Sequence, residues 1–190
     1  MSIFSFEHSA WSYRADFLFY LLAVCLLGGF VGWNAPAGQA LLMVVLACSG
    51  LVVWSGLEYG LHRYVLHGLE PFATWHREHH RRPRALVGAS TVLSASLLGG
   101  LVLLPAWWWM GSLNASGLFL GVVTGYLGYT MTHHAVHHGL FRGAPHFDWL
   151  SRQTRWHAQH HHLSEPCCFG VTTRVWDHLL KTSGRRRSEG

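Results

Sequence analysis

The sequence predicts an all-α integral membrane protein, with four transmembrane helices in two hairpins and a cytoplasmic, histidine-rich helical cap. Three observations carry the prediction. Half of the 190 residues are hydrophobic and only 12% are charged, and the mean hydropathy is positive at +0.19. No Asp, Glu, Lys or Arg occurs between Phe17 and Leu57, or between Ala85 and Phe141. All 14 Lys and Arg residues sit at Arg14, between Arg63 and Arg84, or after Phe141.

A helical span needs about 20 apolar residues, so each uncharged run has room for two. Asn34-Ala35-Pro36-Ala37-Gly38 interrupts the first run with turn residues. Pro105, Trp107-Trp108-Trp109 and Gly111-Ser112-Leu113-Asn114 interrupt the second. The predicted spans are 17–33, 40–57, 86–104 and 116–132. Neither hairpin turn carries a cation, so with an even number of spans every basic segment lies on one side. The positive-inside rule makes that side cytoplasmic, and both termini with it. The three tryptophans fit an interfacial belt on the opposite face. A buried soluble helical protein has no reason to sort its charges in this way. The length fits one membrane-embedded domain, residues 1–190, whose cap is formed by 58–84 and 133–182.

No cleavable signal peptide is expected, because residues 2–16 mix Glu7, Arg14 and Asp16 with aromatics and read as an interfacial lead-in. Cys25 and Cys48 read as small apolar residues within spans. Cys167 and Cys168 are vicinal on the reducing side, where a structural disulfide is not expected. The tail GRRRSEG reads as a frayed basic end near anionic headgroups.

The chemistry lies in the histidines, and they repeat. One hairpin leads into EYGLHRYVLHG and then WHREHH; the next leads into GYTMTHHAVHHG and then WHAQHH. Each half thus ends in a His pair followed by a His triplet, and internal repeats often place a site between their halves. His76, His79 and His80 are spaced i, i+3, i+4, as are His157, His160 and His161, so each helical triplet presents one face. His133 and His137 are one turn apart. His62 and His67, five apart, diverge by about 140° on an ideal α-helix and need a helix end, a kink or different metals.

Neutral imidazole ligates iron and zinc well. Ten such side chains exceed the needs of one ion, and two ions take about five each. Carboxylates are scarce nearby; Glu58, Glu78, Asp148 and Asp177 are the candidates for orienting imidazole N–H groups. His134, His138 and His162 are neighbours able to replace a ligand. His8, His146 and His178 read as packing or headgroup contacts. A haem cytochrome would set axial histidines singly on its spans, and a metal transporter would bury ligands deep within them. The first 16 to 18 residues of each predicted span hold no histidine.

These motifs resemble the fatty acid hydroxylase superfamily, which also includes sterol desaturases and C-4 methyl sterol oxidases. The family's run is H-x4-H, H-x2-H-H, H-x3-H and H-x2-H-H around a membrane-embedded dinuclear metal centre. Here the matching residues are His62/His67, His76/His79/His80, His133/His137 and His157/His160/His161. The string FGVTTRVWDHLLKT also resembles the family's ending, and the likeness covers roughly residues 55–182. Two departures stand out. Thr130 follows Tyr129 where lipid 2-hydroxylases often carry Asp, and no cytochrome b5-like domain is expected.

The resemblance implies O2-dependent hydroxylation of a membrane lipid at two Fe ions, with Zn as an ion the isolated protein also accepts. A fatty acyl chain is the first expectation for the substrate, then a carotenoid ring, then a sterol. A non-catalytic, zinc-stapled membrane scaffold is the reading outside enzymology. Electrons are expected from a separate donor of the ferredoxin, cytochrome b5 or reductase type. The basic loop Arg77–Arg84 meets either that donor or lipid phosphates. No nucleic-acid partner is expected.

Overall fold

Serine caps open two of the apolar helices. Ser9 Oγ accepts the Ser12 N–H at 3.1 Å and starts α1, Ala10–Asn34; Ser90 Oγ accepts Leu93 N–H at 3.3 Å and starts α4, Thr91–Leu98. This computed structural model describes residues 7–139, 148–163 and 166–184. His146, part of the N-terminal lead-in and the tail after Gly184 lie outside the described residues. After α1 the chain turns at Ala35–Gly38, where Gly38 adopts φ 88°, and enters α2, Ala40–Gly60. A π-helical turn, Leu61–Leu66, continues α2. The short α3, Phe72–Arg81, follows, and a second π turn, Gly99–Leu103, joins α4 to α5, Leu104–His138. The chain ends with α6, Asp148–His162, and α7, Val175–Leu179. Among the described residues no strand forms; a single antiparallel bridge pairs Glu7 with Val87.

Three helical stretches are long and apolar enough to cross a membrane, as an integral membrane protein requires: Ala10–Asn34, Ala40–Leu66 and Thr91–His138. The first two correspond to the first two spans expected from sequence. The third begins at Thr91, five residues after the start of the third expected span, holds the rest of that span and all of the fourth, and is broken at Gly111, whose φ of 77° and ψ of 168° no helix accommodates. Tyr20 shows what the break does. Its hydroxyl bonds Ser94 Oγ at 2.7 Å, and its ring centroid lies 4.4 Å from that of Tyr126. An unbroken helix would hold residues 94 and 126 roughly 48 Å apart, so the chain folds back between them.

The chain divides into two compact units, Met1–Ser55 with Ala85–Gly128, and Gly56–Arg84 with Tyr129–Gly190. The first unit is apolar outside as well as inside. Leu18, Leu22 and Leu26 on α1 are 56%, 51% and 73% exposed, as lipid-facing side chains are, and Trp108 is 93% exposed. Within this unit α2 and α5 touch through glycine. A Cβ on Gly50 would lie 2.0 Å from Leu118 O, and one on Gly121 would lie 1.9 Å from Ala47 O. Small residues let helix backbones approach in lipid, where van der Waals packing replaces the hydrophobic effect. Gly121→Val is therefore expected to destabilise the unit by about 1–3 kcal/mol, the usual cost of overpacking, with more where backbone blocks relief. The SDS concentration at half-unfolding in detergent should fall. An unchanged midpoint would show that the two helices are free to move apart.

The second unit holds the pairs and triplets of histidine, and its buried residues are mixed, an apolar cluster of Ala135, Val136 and Leu150 beside many polar side chains. Glu58, His62, His76, His79, Gln153, His157, His160 and Asp177 are all buried there.

Candidate metal centre

The π turn resolves the register of the first pair. Hydrogen bonding from i to i+5 widens the helix, so residues five apart come to the same side. The rings of His62 and His67 accordingly lie 5.4 Å apart, in one group. The other pair needs no such device, because α5 brings the Nε2 atoms of His133 and His137 to 3.2 Å by ordinary i, i+4 spacing.

Nine imidazoles gather into two groups, each with all its nitrogen ligand atoms within 4.8 Å of one another. The first is His62, His67, His76, His80 and His160; the second is His79, His133, His137 and His157. His161 adjoins the second, with its Nε2 3.1 Å from His157 Nε2. The arrangement is an exchange. Each group takes one pair, the first histidine of the adjoining triplet and the middle histidine of the other; the third histidine, His80, belongs to the first group, and His161 adjoins the second. His160 from α6 thus joins the first group, and His79 from α3 joins the second. His161 is the counterpart of His80, whose Nε2 lies 3.0 Å from His76 Nε2.

The distances identify what the groups fit. His137 Nε2 lies 3.1, 3.2 and 2.9 Å from the Nε2 atoms of His79, His133 and His157. A neutral imidazole has one N–H and one lone pair, so no single nitrogen can hydrogen-bond to three others. His62 Nδ1–H donates to Phe169 O at 2.5 Å, and His160 Nδ1–H donates to Cys167 O at 2.8 Å. Their Nε2 atoms therefore present lone pairs to their neighbours. Two nitrogens each about 2.1 Å from one ion, at right angles, sit about 3.0 Å apart. Converging lone pairs at that spacing repel one another unless a cation lies among them, so the donor set fits two metal ions.

Burial keeps the imidazoles of α3 and α6 neutral and able to ligate. It pulls His79 and His160 down to about 3 and His80 down to about 4, with neighbouring imidazoles adding to the effect in each. His76, His157 and His161 are held well below the usual histidine range for the same reason.

Of the four candidate carboxylates, Glu58, Glu78 and Asp177 have partners among the cations and backbone amides around them. Glu78 is taken by Arg82 at 2.5 Å and by Arg81 at 3.9 Å, on the outside of α3. Asp148 is exposed in the first turn of α6, where a negative charge complements the helix N-terminus. Glu58 and Asp177 are buried, at 3% and 0% exposure, but they hold the loop after α6. Glu58 accepts the Val171 and Thr172 amides at 2.7 and 2.8 Å, and the Thr172 hydroxyl. Asp177 accepts the Phe169 and Gly170 amides at 2.9 and 2.8 Å. Two of the imidazoles, His62 and His160, have backbone carbonyls of that loop as direct partners, Phe169 O and Cys167 O. Sequence reasoning missed them; the FGVT and Trp-Asp strings were the available signal.

Among the described residues the remaining histidines stand apart from both groups. His134 and His138 stack on each other with centroids 4.2 Å apart. His162 lies 6.4 Å from His161, ring to ring. His178 bonds Ser183 Oγ at 3.0 Å, and His8 bonds Gly88 O at 3.0 Å. A cavity of about 230 Å³ opens beside the second group, lined by His137, His157, His161, Thr154 and Arg84 among others. His67 marks the exposed edge of the first.

Comparison with known proteins points the same way. A family model described as fatty acid hydroxylase matches residues 45–182. The chain is 33% identical over 154 residues to the ceramide very long chain fatty acid hydroxylase of Saccharomyces cerevisiae, covering 72% of this chain and 37% of that one. It is 29% identical over 146 residues to the fatty acid 2-hydroxylase of Macaca fascicularis, covering 70% and 38%. With a dihydroceramide fatty acyl 2-hydroxylase of Arabidopsis thaliana it shares 27% over 150 residues, covering 73% and 60%. The chain thus spans less than two thirds of each of these relatives. A solved structure of full-length scs7p, in which only the hydroxylase domain is visible, superposes with a TM-score of 0.76 at 25% identity, over 92% of this chain and 67% of that one. A match over most of the chain, with its four histidine motifs inside the matched region, makes this protein a member of the fatty acid hydroxylase family.

Proposed function

We propose that the protein is a membrane-bound dimetal enzyme that hydroxylates fatty acyl chains. The observation that carries this reading is the exchanged pair of imidazole groups in a chain of the fatty acid hydroxylase family. His62, His67, His76, His80 and His160 would hold one ion, and His79, His133, His137, His157 and His161 the other. Two iron ions, when bound, supply reductive activation of O2, so that one oxygen atom enters an unactivated C–H bond and the other leaves as water. The ten side chains offer neutral nitrogen alone, and the same set accepts zinc. The two electrons come from a separate redox protein.

Acyl substrates are favoured over carotenoids and sterols by the relatives, whose names specify fatty acids, ceramide and dihydroceramide. Two of those names specify a 2-hydroxylase, so the carbon next to the carbonyl is the proposed position. The fold-back at Gly111 supports four spans in two hairpins, forming one functional domain. The distribution of cations supports a cytoplasmic face for the histidine segments and both termini.

Lipid mass spectrometry on cells expressing wild type or His157→Ala, in a host that also makes carotenoids, tests the reading. Acyl species heavier by one oxygen should appear with wild type and fall to background with the variant. Oxygen on a carotenoid, or loss of two hydrogens, would replace the substrate or the reaction. No difference, with folded iron-loaded protein and a donor present, would leave a zinc-stapled scaffold.

A further inference from the structure

The two imidazole groups match in arrangement once His161 is counted with the second, but the loop after α6 touches them unequally. His62 and His160, both in the first group, give their Nδ1–H to carbonyls of that loop, Phe169 O at 2.5 Å and Cys167 O at 2.8 Å. His79 is the counterpart of His160 in the second group. Its buried Nδ1 has no acceptor among the described residues, and neither have those of His157 and His161.

Both loop carbonyls lead back to Asp177. Phe169 C=O belongs to the same peptide as Gly170 N–H, which donates to Asp177 Oδ2 at 2.8 Å. Cys167 C=O belongs to the same peptide as Cys168 N–H, which donates to Thr182 O at 2.9 Å. Thr182 is fastened to Asp177 twice, through its hydroxyl to Oδ1 at 2.7 Å and through its amide to Asp177 O at 2.8 Å. The carboxylate also accepts Phe169 N–H at 2.9 Å and Trp156 Nε1–H at 3.2 Å. Four side-chain and backbone donors thus converge on the two oxygens of this fully buried carboxylate.

A negative charge on the N–H side of a peptide polarises it and makes its carbonyl a stronger acceptor. A stronger acceptor at Nδ1–H raises the basicity of Nε2 and fixes the ring, as carboxylates do directly in many metal sites. Gly170 is part of the device. A Cβ there would lie 1.9 Å from Thr173 O and 3.0 Å from Asp177 Oδ2, so only glycine lets the peptide sit on the carboxylate.

We propose that Asp177 is a positioning residue that strengthens one metal site alone. Acting through the Phe169–Gly170 peptide and through Thr182, it makes the His62/His160 group the tighter of two otherwise matched sites. The inference rests on the dimetal reading above, and the two fail differently.

The test is an equilibrium chelator titration of purified full-length protein reconstituted with Co(II), followed by metal content and by the cobalt absorption bands. Wild type should bind two equivalents whose affinities differ by at least about tenfold. His160→Ala should lose the tighter and His157→Ala the weaker. Asp177→Asn should weaken the tighter equivalent by about 10–100-fold, shift its bands, and leave the weaker one unchanged. A merely structural role would weaken both equivalents together, and that outcome overturns the proposal, as does an unaltered titration. Should Asp177→Asn lose its helical circular dichroism, Thr182→Val serves instead. It keeps the carboxylate and its two loop amides, and should weaken the same equivalent by a smaller factor. Equal affinities in wild type also overturn the proposal. Wild type that binds no cobalt or iron would remove the dimetal reading along with it.

Discussion

Gly170→Ala is expected to lower the thermal unfolding midpoint by roughly 6–12 °C and to strip metal from the protein. The added Cβ would sit 1.9 Å from Thr173 O, a backbone atom that cannot rotate away. The Phe169–Gly170 peptide must therefore shift, and overpacking of this kind costs about 1–3 kcal/mol even where side chains can yield. The shift also pulls a donor from Asp177, and a buried acceptor left short of partners costs a further 1–3 kcal/mol or so. About 3 kcal/mol is a large share of the roughly 5–15 kcal/mol that holds a domain together. Loss of metal follows because His62 and Phe169 O part company when the peptide moves. A scan of the purified variant with metal analysis checks both effects. A midpoint within a degree of wild type would mean that the loop has slack that the structure does not show.

The histidine motifs were readable because spacing and helix geometry share one period. The i, i+3, i+4 triplets on α3 and α6 announced a common face, and both triplets do point inward. Which histidine serves which group was not readable. His79 and His160 change partners between halves, and that exchange is a tertiary fact with no local signature. The His62/His67 spacing looked wrong because α-helical geometry was assumed, and a π turn leaves no mark in composition. Glu58 and Asp177 stood out as rare carboxylates in an apolar setting, but residue type reveals an acceptor and not which donor reaches it, so their bonds to the loop amides were not readable. Phe169 O and Cys167 O escaped notice for a simpler reason: every residue has a carbonyl. The apolar runs gave the membrane-crossing helices, and Gly111 falls within the segment where turn residues crowd the second run.

Acid is expected to release the metal and then unfold the histidine-bearing unit, beginning as the pH drops below 6.5. In the unfolded chain each histidine takes its proton near pH 6.5. In the fold, His80 takes it only at about 4, and His79 and His160 only at about 3. Between those limits the unfolded chain binds more protons than the native one, so stability falls as pH falls. The contribution is fully present above pH 6.5 and fully lost below the folded values. Each histidine kept neutral contributes a slope of about 1.4 kcal/mol per pH unit. His79 and His160, 5% and 6% exposed, together remove about 5 kcal/mol over two pH units, which rivals the stability of a whole domain. Metal competes with protons for the same lone pairs, so loaded protein should resist acid further than metal-free protein does. Metal content and circular dichroism followed from pH 7 to pH 4 give the answer. Midpoints between roughly pH 6 and pH 4, lower with metal than without, are the signature of imidazole ligation. Metal retained unchanged at pH 4, together with flat stability over the range, would mean that the imidazoles are not its ligands.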